Sequence, residues 1–196
     1  NKKQLLASLK TKGFDEEILK AFSKVKRENF IPKSGKKKAY EDTALEIGYK
    51  QTISQAYTIA LMLSMLELEK SLKVLEIGSG SGYVLALMSE LVGKDGEVYG
   101  IEVVKELVDN SRNAIKIYDN IKVYNMNGIK GMDSLKPFDR ILVSAASAKG
   151  IPKELVNQLR VGGIIVAPVG KQGEEQSLVC LKKTKNGIIK QEISGF

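Results

Sequence analysis

VLEIGSGSGY, residues 74–83, decides how the rest of this chain is read. Its first four residues make a short apolar run of strand character. Three glycines follow, Gly78, Gly80 and Gly82, and then a continuous apolar stretch of helical length. Glycines at such a hand-over let the backbone approach a ligand closely, and the helix behind them offers free N–H groups. In a doubly wound sheet this is where a nucleotide-like ligand binds. The spacing here is G-x-G-x-G. A dinucleotide fingerprint requires its third glycine at position 83, which is Tyr83, and the Lys and hydroxyl ending of a P-loop is missing. Phosphate is therefore a poor candidate for the ligand. Two acids sharpen the reading. Glu76 stands just before the glycines, and Glu102 ends the next apolar run, where an acidic side chain can accept hydrogen bonds from ribose hydroxyls. An acidic, phosphate-free nucleoside pocket suits a cationic ligand.

Outward from this loop the pattern is regular. KVLEIG reads as a strand, SGYVLALMSELVG as a helix and EVYGIE as a second strand. VVKELVDNSRNAIKIY carries Val104, Leu107, Val108, Ser111, Ala114 and Ile115 on one helical face. IKVYNM and FDRILVSA read as the third and fourth strands. PKELVNQLR reads as a helix with Pro152 at its start and Gly162 past its end. GIIVAPVG is a fifth strand, and SLVCLKKTKNGIIKQEI a hairpin turning at Asn186–Gly187. The expected fold is α/β and doubly wound. It has a sheet of about seven strands, mostly parallel, with an antiparallel C-terminal hairpin.

The first 70 residues differ in style. NKKQLLASLK reads as a helix stopped near Gly13, and FDEEILKAFSKV as a second, with Asp15 as N-cap. Pro32 ends that segment. Residues 39–53 read as irregular or short-stranded. Gln55 to Leu66 is apolar on most faces and reads as a helix buried on two sides. Its polar lead-in, Gln51-Thr52-Ile53-Ser54, leaves two readings of Ser54 open, a helix cap or a working residue. The expected organisation is one domain over 1–196, with 1–70 helical and on the substrate side and 71–196 as the binding core.

Composition narrows the chemistry. The net charge is +8, but the excess is nearly all lysine, and the aromatic share is 6% with no tryptophan. Base readout and stacking favour arginine and aromatics, so nucleic acid is not the expected partner. The run KSGKKK, 33–38, reads as a solvated loop. No apolar run reaches the roughly 18 residues that span a bilayer. The opening residues lack a signal-peptide h-region, so a cytoplasmic protein is expected. One cysteine, Cys180, excludes an intrachain disulfide and a Cys-based zinc site, and it reads as core. No metal is expected. Histidine is absent altogether, which removes the commonest general base.

EIGSGSGY followed by GIE resembles the cofactor site of class I S-adenosylmethionine-dependent methyltransferases. Two longer stretches, YEDTALEIGYKQTIS and FDRILVSAASAKGIPKELVNQLRVGGIIVAPVG, resemble the protein-L-isoaspartate O-methyltransferases, in matching order over roughly residues 25–196. The Gln-Thr-Ile-Ser element is the most specific part. The resemblance implies a Rossmann-like class I methyltransferase sheet. It also implies methyl transfer from S-adenosyl-L-methionine to the free α-carboxylate of isoaspartyl residues in proteins, with S-adenosyl-L-homocysteine as product and a monomeric enzyme. The methionine part of the cofactor would lie over Glu76, Gly78, Ser79, Gly80, Ser81 and Gly82, and the ribose on Glu102. The adenine would lie at Asn127 and Gly128, where the family has Asp-Gly. Ser54 matches the active-site serine, and Thr52 and Ile53 would lend backbone groups to the substrate. Lys50 stands where the family commonly has glycine. The competing enzyme reading is a class I methyltransferase of another acceptor, such as RNA or a tetrapyrrole precursor. The competing non-enzyme reading is a cofactor-binding or nucleic-acid-binding module without catalysis. An acceptor carboxylate is already ionised at pH 7 and needs no general base, which agrees with the missing histidine.

Overall fold

The computed structural model describes residues 1–171 and 175–195. Helix α1 (Lys2–Thr11) stops just before Gly13, at φ +88°. Helix α2 (Glu16–Lys24) starts at Asp15, whose carboxylate accepts from Ile18 N at 2.9 Å, with Glu16 and Glu17 in the first turn. The cap satisfies a free N–H group, and the two acids favour the positive end of the helix. Short 3-10 turns at Arg27–Phe30 and Lys33–Lys38 then carry the chain past Pro32, and the lysines of the second turn are exposed.

Residues 39–53 contain a hairpin. Strands β1 (Leu45–Gly48) and β2 (Gln51–Ile53) pair antiparallel in a sheet of their own. The tip is Tyr49–Lys50, with φ 55° and 59°. Two-residue tips with both φ positive normally use Asn-Gly. Here two bulky residues accept the left-handed region while Leu45, Ile47 and Ile53 are buried beneath them. Helix α3 (Ala56–Met65) follows, and side chains from distant segments cap both its ends. Asp42 Oδ1 accepts from Tyr57 N at 2.8 Å, and Arg140 Nη2 donates to the Glu67 carbonyl at 3.0 Å.

The main sheet is built from β3 (Lys73–Ile77), α4 (Tyr83–Val92), β4 (Glu97–Glu102), α5 (Lys105–Ile115), β5 (Ile121–Asn125), β6 (Phe138–Val143), α6 (Lys153–Asn157) and β7 (Leu159–Val169). Strands β8 (Ser177–Thr184) and β9 (Gly187–Ser194) complete it. The order is β5-β4-β3-β6-β7-β8-β9. The first five are parallel, and the last two are added antiparallel. Period-two burial divides the core. Val74, Val98, Leu142 and Val166 face α1 to α5, whereas Leu75, Tyr99, Ile141 and Ile165 face the side of α6. The chain leaves β3 toward β4 and β5, then returns to β6 on the other side of β3. That reversal opens a crevice at the carboxyl ends of β3 and β6. Among the described residues, no helix is long and apolar enough to cross a membrane.

Two boundaries differ from expectation. The helix expected to run to Arg160 ends at Asn157, and β7 begins at Leu159. Gln158 is drawn into the core, where its side chain accepts from Met132 N and donates to the Lys130 carbonyl. Leu159 then pairs with Phe138, and the register shifts before Arg140 meets Ile164. Gly162, at φ +85°, serves that irregularity rather than a helix cap. In the C-terminal hairpin the turn residues are Lys185 and Asn186, one position earlier than expected, because Gly187 already pairs with Thr184.

Gly82 ends the glycine loop at φ +84°, and a Cβ there would stand 3.1 Å from Ser111 Cβ and 3.2 Å from Ile115 Cγ2. Gly82→Ala is expected to cost about 1–3 kcal/mol, from left-handed strain plus overpacking against α5. Thermal unfolding reads this, and an unchanged Tm contradicts it.

Candidate active site

A cavity of about 870 Å³ opens at the crevice, walled by β2 and its continuation, the glycine loop, the end of β4, residues 126–129 and residues 144–152. Its floor is pinned from below. The N–H groups of Gly78 and Ser79 both donate to the Ile101 carbonyl, at 2.8 and 3.0 Å. Gly78 adopts φ +80°, and a Cβ on it would stand 3.3 Å from Ala145 Cβ. Glycine here lets the loop pass close under the segment that leaves β6.

Glu102 closes one side. It is 6% exposed, and each carboxylate oxygen accepts a backbone N–H, Oε2 from Gly80 and Oε1 from Val104, both at 2.9 Å. It therefore latches the glycine loop to the end of β4 and keeps lone pairs for a ligand. Asn125 Nδ2 donates to the carbonyls of Glu102 and Val103, at 3.0 and 2.9 Å, which holds this turn.

Glu76 lies deeper, at 1% exposure. Its Oε1 accepts from Ser144 Oγ at 2.6 Å, while Oε2 is buried with no partner among the described residues. Burial pushes this carboxyl up to about 8, the Ser144 hydrogen bond opposes the shift, and the nearby Glu102 adds to it. A hydroxyl neighbour, Ser79 Oγ, is likewise buried and unpartnered. Two orphaned polar atoms at the floor of one cavity are costly unless a ligand satisfies them. Glu76 suits a cationic group, and Glu102 suits a hydroxyl pair.

Gly128 packs against the floor strand, since a Cβ would fall 2.4 Å from Ile77 Cγ2. Asn127 Oδ1 accepts from Ile129 N at 3.0 Å, capping the following turn. Across the cavity stand Thr52, Ile53 and Ser54. Among the described residues the Ser54 hydroxyl makes no hydrogen bond, whereas its carbonyl accepts from Arg27 Nη2 at 2.9 Å. The cap reading of Ser54 does not hold. The residue before α3 is Gln55, which gives no side-chain cap, and Asp42 caps the helix instead.

Of the residues singled out in the sequence, Thr52, Ile53, Ser54, Glu76, Gly78, Ser79, Gly80, Ser81, Glu102, Asn127 and Gly128 all line the cavity. Gly82 does not. It turns toward Ser111 and Ile115 behind the loop. Lys50 sits at the exposed hairpin tip. Sequence reasoning missed Ser144, Asn125 and Arg27. The run of small residues after β6, SAASAKG, was a readable hint of the wall at 144–150. Among the described residues, no group of three or more His, Cys, Asp or Glu could hold a metal ion.

The family described as Protein-L-isoaspartate(D-aspartate) O-methyltransferase (PCMT) matches residues 1–195. The chain belongs to this family. It is 43% identical to the protein-L-isoaspartate O-methyltransferase of Ignicoccus hospitalis over 192 residues, which is 96% of this chain and 90% of that protein. A solved protein-L-isoaspartate O-methyltransferase superposes on all of this chain with a TM-score of 0.90 at 28% identity, covering 64% of the other chain. A PCMT of Plasmodium falciparum, solved in complex with S-adenosyl-L-homocysteine, covers all of this chain and 95% of its own with a TM-score of 0.86 at 30% identity.

Proposed function

We propose that this chain transfers a methyl group from S-adenosyl-L-methionine to the free α-carboxylate of L-isoaspartyl residues in proteins and peptides, which initiates repair to aspartate. The observation that carries the proposal is the meeting of Gln51 to Ser54 with the acid-walled glycine loop in one cavity. When bound, S-adenosyl-L-methionine supplies an activated methyl group on a cationic sulfur and leaves as S-adenosyl-L-homocysteine. The chain's own residues bind and align. Glu102 accepts from the ribose hydroxyls while it latches Gly80. Glu76 and the loop Gly78 to Ser81 take the methionine end, with Gly82 shaping the loop from behind. Asn127 and Gly128 take the adenine, with Asn127 using the lone pair that Ile129 leaves free. Thr52 and Ile53 lend backbone groups to the substrate peptide, and the Ser54 hydroxyl donates to the acceptor carboxylate. The protein needs no base, because that carboxylate is ionised at neutral pH. Its contribution is proximity, orientation and exclusion of water.

The same reading treats residues 1–196 as one methyltransferase domain, with 1–70 on the substrate side and 71–196 holding the cofactor. It takes the chain as a cytoplasmic monomer acting on proteins rather than nucleic acid. Paired peptides holding isoaspartate or aspartate, incubated with labelled S-adenosyl-L-methionine, test the function. Label in the isoaspartyl peptide alone is expected. Equal methylation of both peptides, or of neither, overturns the reading, and methylation of tRNA in a parallel tube favours the other acceptor class.

Glu76 makes ligand binding pH-dependent. Burial keeps its carboxyl protonated below about 8, and a cationic group beside it favours the ionised form. Binding therefore releases a proton at lower pH. Affinity for S-adenosyl-L-homocysteine is expected to rise with pH from 6 and flatten above 8, by at most about tenfold per pH unit for one linked proton. Glu76→Gln should flatten the profile. Calorimetry in buffers of different ionisation enthalpy measures the released proton, and a parent profile as flat as the variant's contradicts the assignment.

A further inference from the structure

Arg27 is fully buried although it carries a permanent charge, and among the described residues it makes no ion pair. Its Nη2 donates to two backbone carbonyls, Thr43 at 3.2 Å and Ser54 at 2.9 Å. These are the two feet of the β1–β2 hairpin, one just before Leu45 and the other just after Ile53. The guanidinium carbon lies 5.4 Å from the ring centroid of Tyr83, the first residue after the glycine loop. Nε and Nη1 are buried without partners.

Burying a guanidinium with no direct ion pair is expensive even with the Asp42 carboxylate and the Tyr83 side chain near enough to favour its charge, and an apolar side chain of similar volume often serves packing as well or better. Core filling is thus a weak reason for arginine here. A two-stranded hairpin, in turn, is marginal unless something outside it holds it. Both bonds come from the two N–H groups of Nη2, whose directions the planar guanidinium fixes while its carbon lies within cation–π reach of Tyr83; a lysine ammonium on its flexible stem would hold the same carbonyls with less fixed geometry. The grip reaches from the Gln-Thr-Ile-Ser wall to the helix that carries the glycine loop.

We infer that Arg27 is the positioning residue that sets the Ser54 wall against the glycine loop, so that an acceptor held at Ser54 is aligned with the methyl donor. The inference rests on the methyl transfer proposed above. Arg27 acts through the hairpin's feet and touches neither ligand.

A double-mutant cycle with Ser54 tests it. Arg27→Lys is expected to lower kcat on the isoaspartyl peptide at least tenfold, with KM and the Kd for S-adenosyl-L-homocysteine moving less than threefold. In a Ser54→Ala background the same change should cost less than twofold further, because the hydroxyl it positions is gone. Losses that multiply, or a Kd that rises as much as kcat falls, overturn the inference and leave Arg27 a general support of the fold. Should Arg27→Lys not fold, Arg27→Met removes the buried charge at similar volume and takes its place in the cycle. Amide exchange supplies a readout independent of activity. In the presence of S-adenosyl-L-homocysteine, Arg27→Lys should speed exchange over residues 43–56 and leave residues 76–82 protected. Unchanged exchange over 43–56 overturns the clamp. A parent protein that does not methylate isoaspartyl peptide but whose hairpin loosens in this way fails the proposed function while keeping the clamp.

Discussion

Glu102→Ala is expected to weaken binding of S-adenosyl-L-homocysteine by about 100-fold or more, the largest effect of any single change at this site. The carboxylate accepts two backbone N–H groups, from Gly80 and Val104. Hydrogen bonds to a charged group contribute about 1.5–3 kcal/mol each. Removing the acid unlatches the glycine loop from β4 and leaves two amides at the cavity wall without their acceptor. It also removes the proposed partner of the ribose hydroxyls. A loss near 3 kcal/mol corresponds to about two orders of magnitude in Kd. Glu102→Gln keeps the shape and one acceptor oxygen, so its loss should be smaller, about tenfold. Titration calorimetry measures both. A Glu102→Ala protein that binds within threefold of the parent would remove Glu102 from the binding site.

Ser54→Ala should separate chemistry from cofactor binding and from stability. Ser54 lines the cavity and its hydroxyl makes no hydrogen bond among the described residues, so no hydrogen bond of the fold is lost with it. Helix α3 keeps its cap from Asp42. The expected result is a fall of about 30- to 100-fold in kcat on the isoaspartyl peptide, the scale of a lost orienting contact. The Kd for S-adenosyl-L-homocysteine should stay within threefold, and Tm should not change. An equal loss of cofactor affinity would move Ser54 to the cofactor side. Parental turnover would remove it from the mechanism.

The glycine loop was legible because its signals are local. A β-branched run, three glycines and an apolar helix lie within twenty residues, and each implies its conformation by sterics. Glu102 was legible because strand length and alternation place the end of β4 beside the loop. Tyr49–Lys50 was not legible as a turn, since neither residue favours positive φ. Burial of Leu45, Ile47 and Ile53 holds that tip. Gly162 misled for a related reason. Glycine marks a left-handed position, and a helix end and a strand irregularity both use one.

The site divides the same way. Ser54 looked like a helix cap because serine just ahead of an apolar run usually is one. The actual cap, Asp42, is 15 residues from its acceptor amide, so no window around the helix start contains the pair. Ser144 and Glu76 are 68 residues apart, and Arg27 and Ser54 are 27. Such pairs leave no periodic trace.

Legible from the residues alone were the succession of strands and helices, the glycine loop with its two acids, and a chemistry that dispenses with histidine. Each follows from backbone sterics, hydrophobic period or residue inventory, which act over a few neighbours or over composition as a whole. It took the folded chain to show that Asp42 caps α3 and frees Ser54, that Ser144 holds a buried Glu76, and that Arg27 grips both feet of the hairpin. Those contacts exist because folding closes long loops and buries polar groups that must then find partners, wherever in the chain the partners lie.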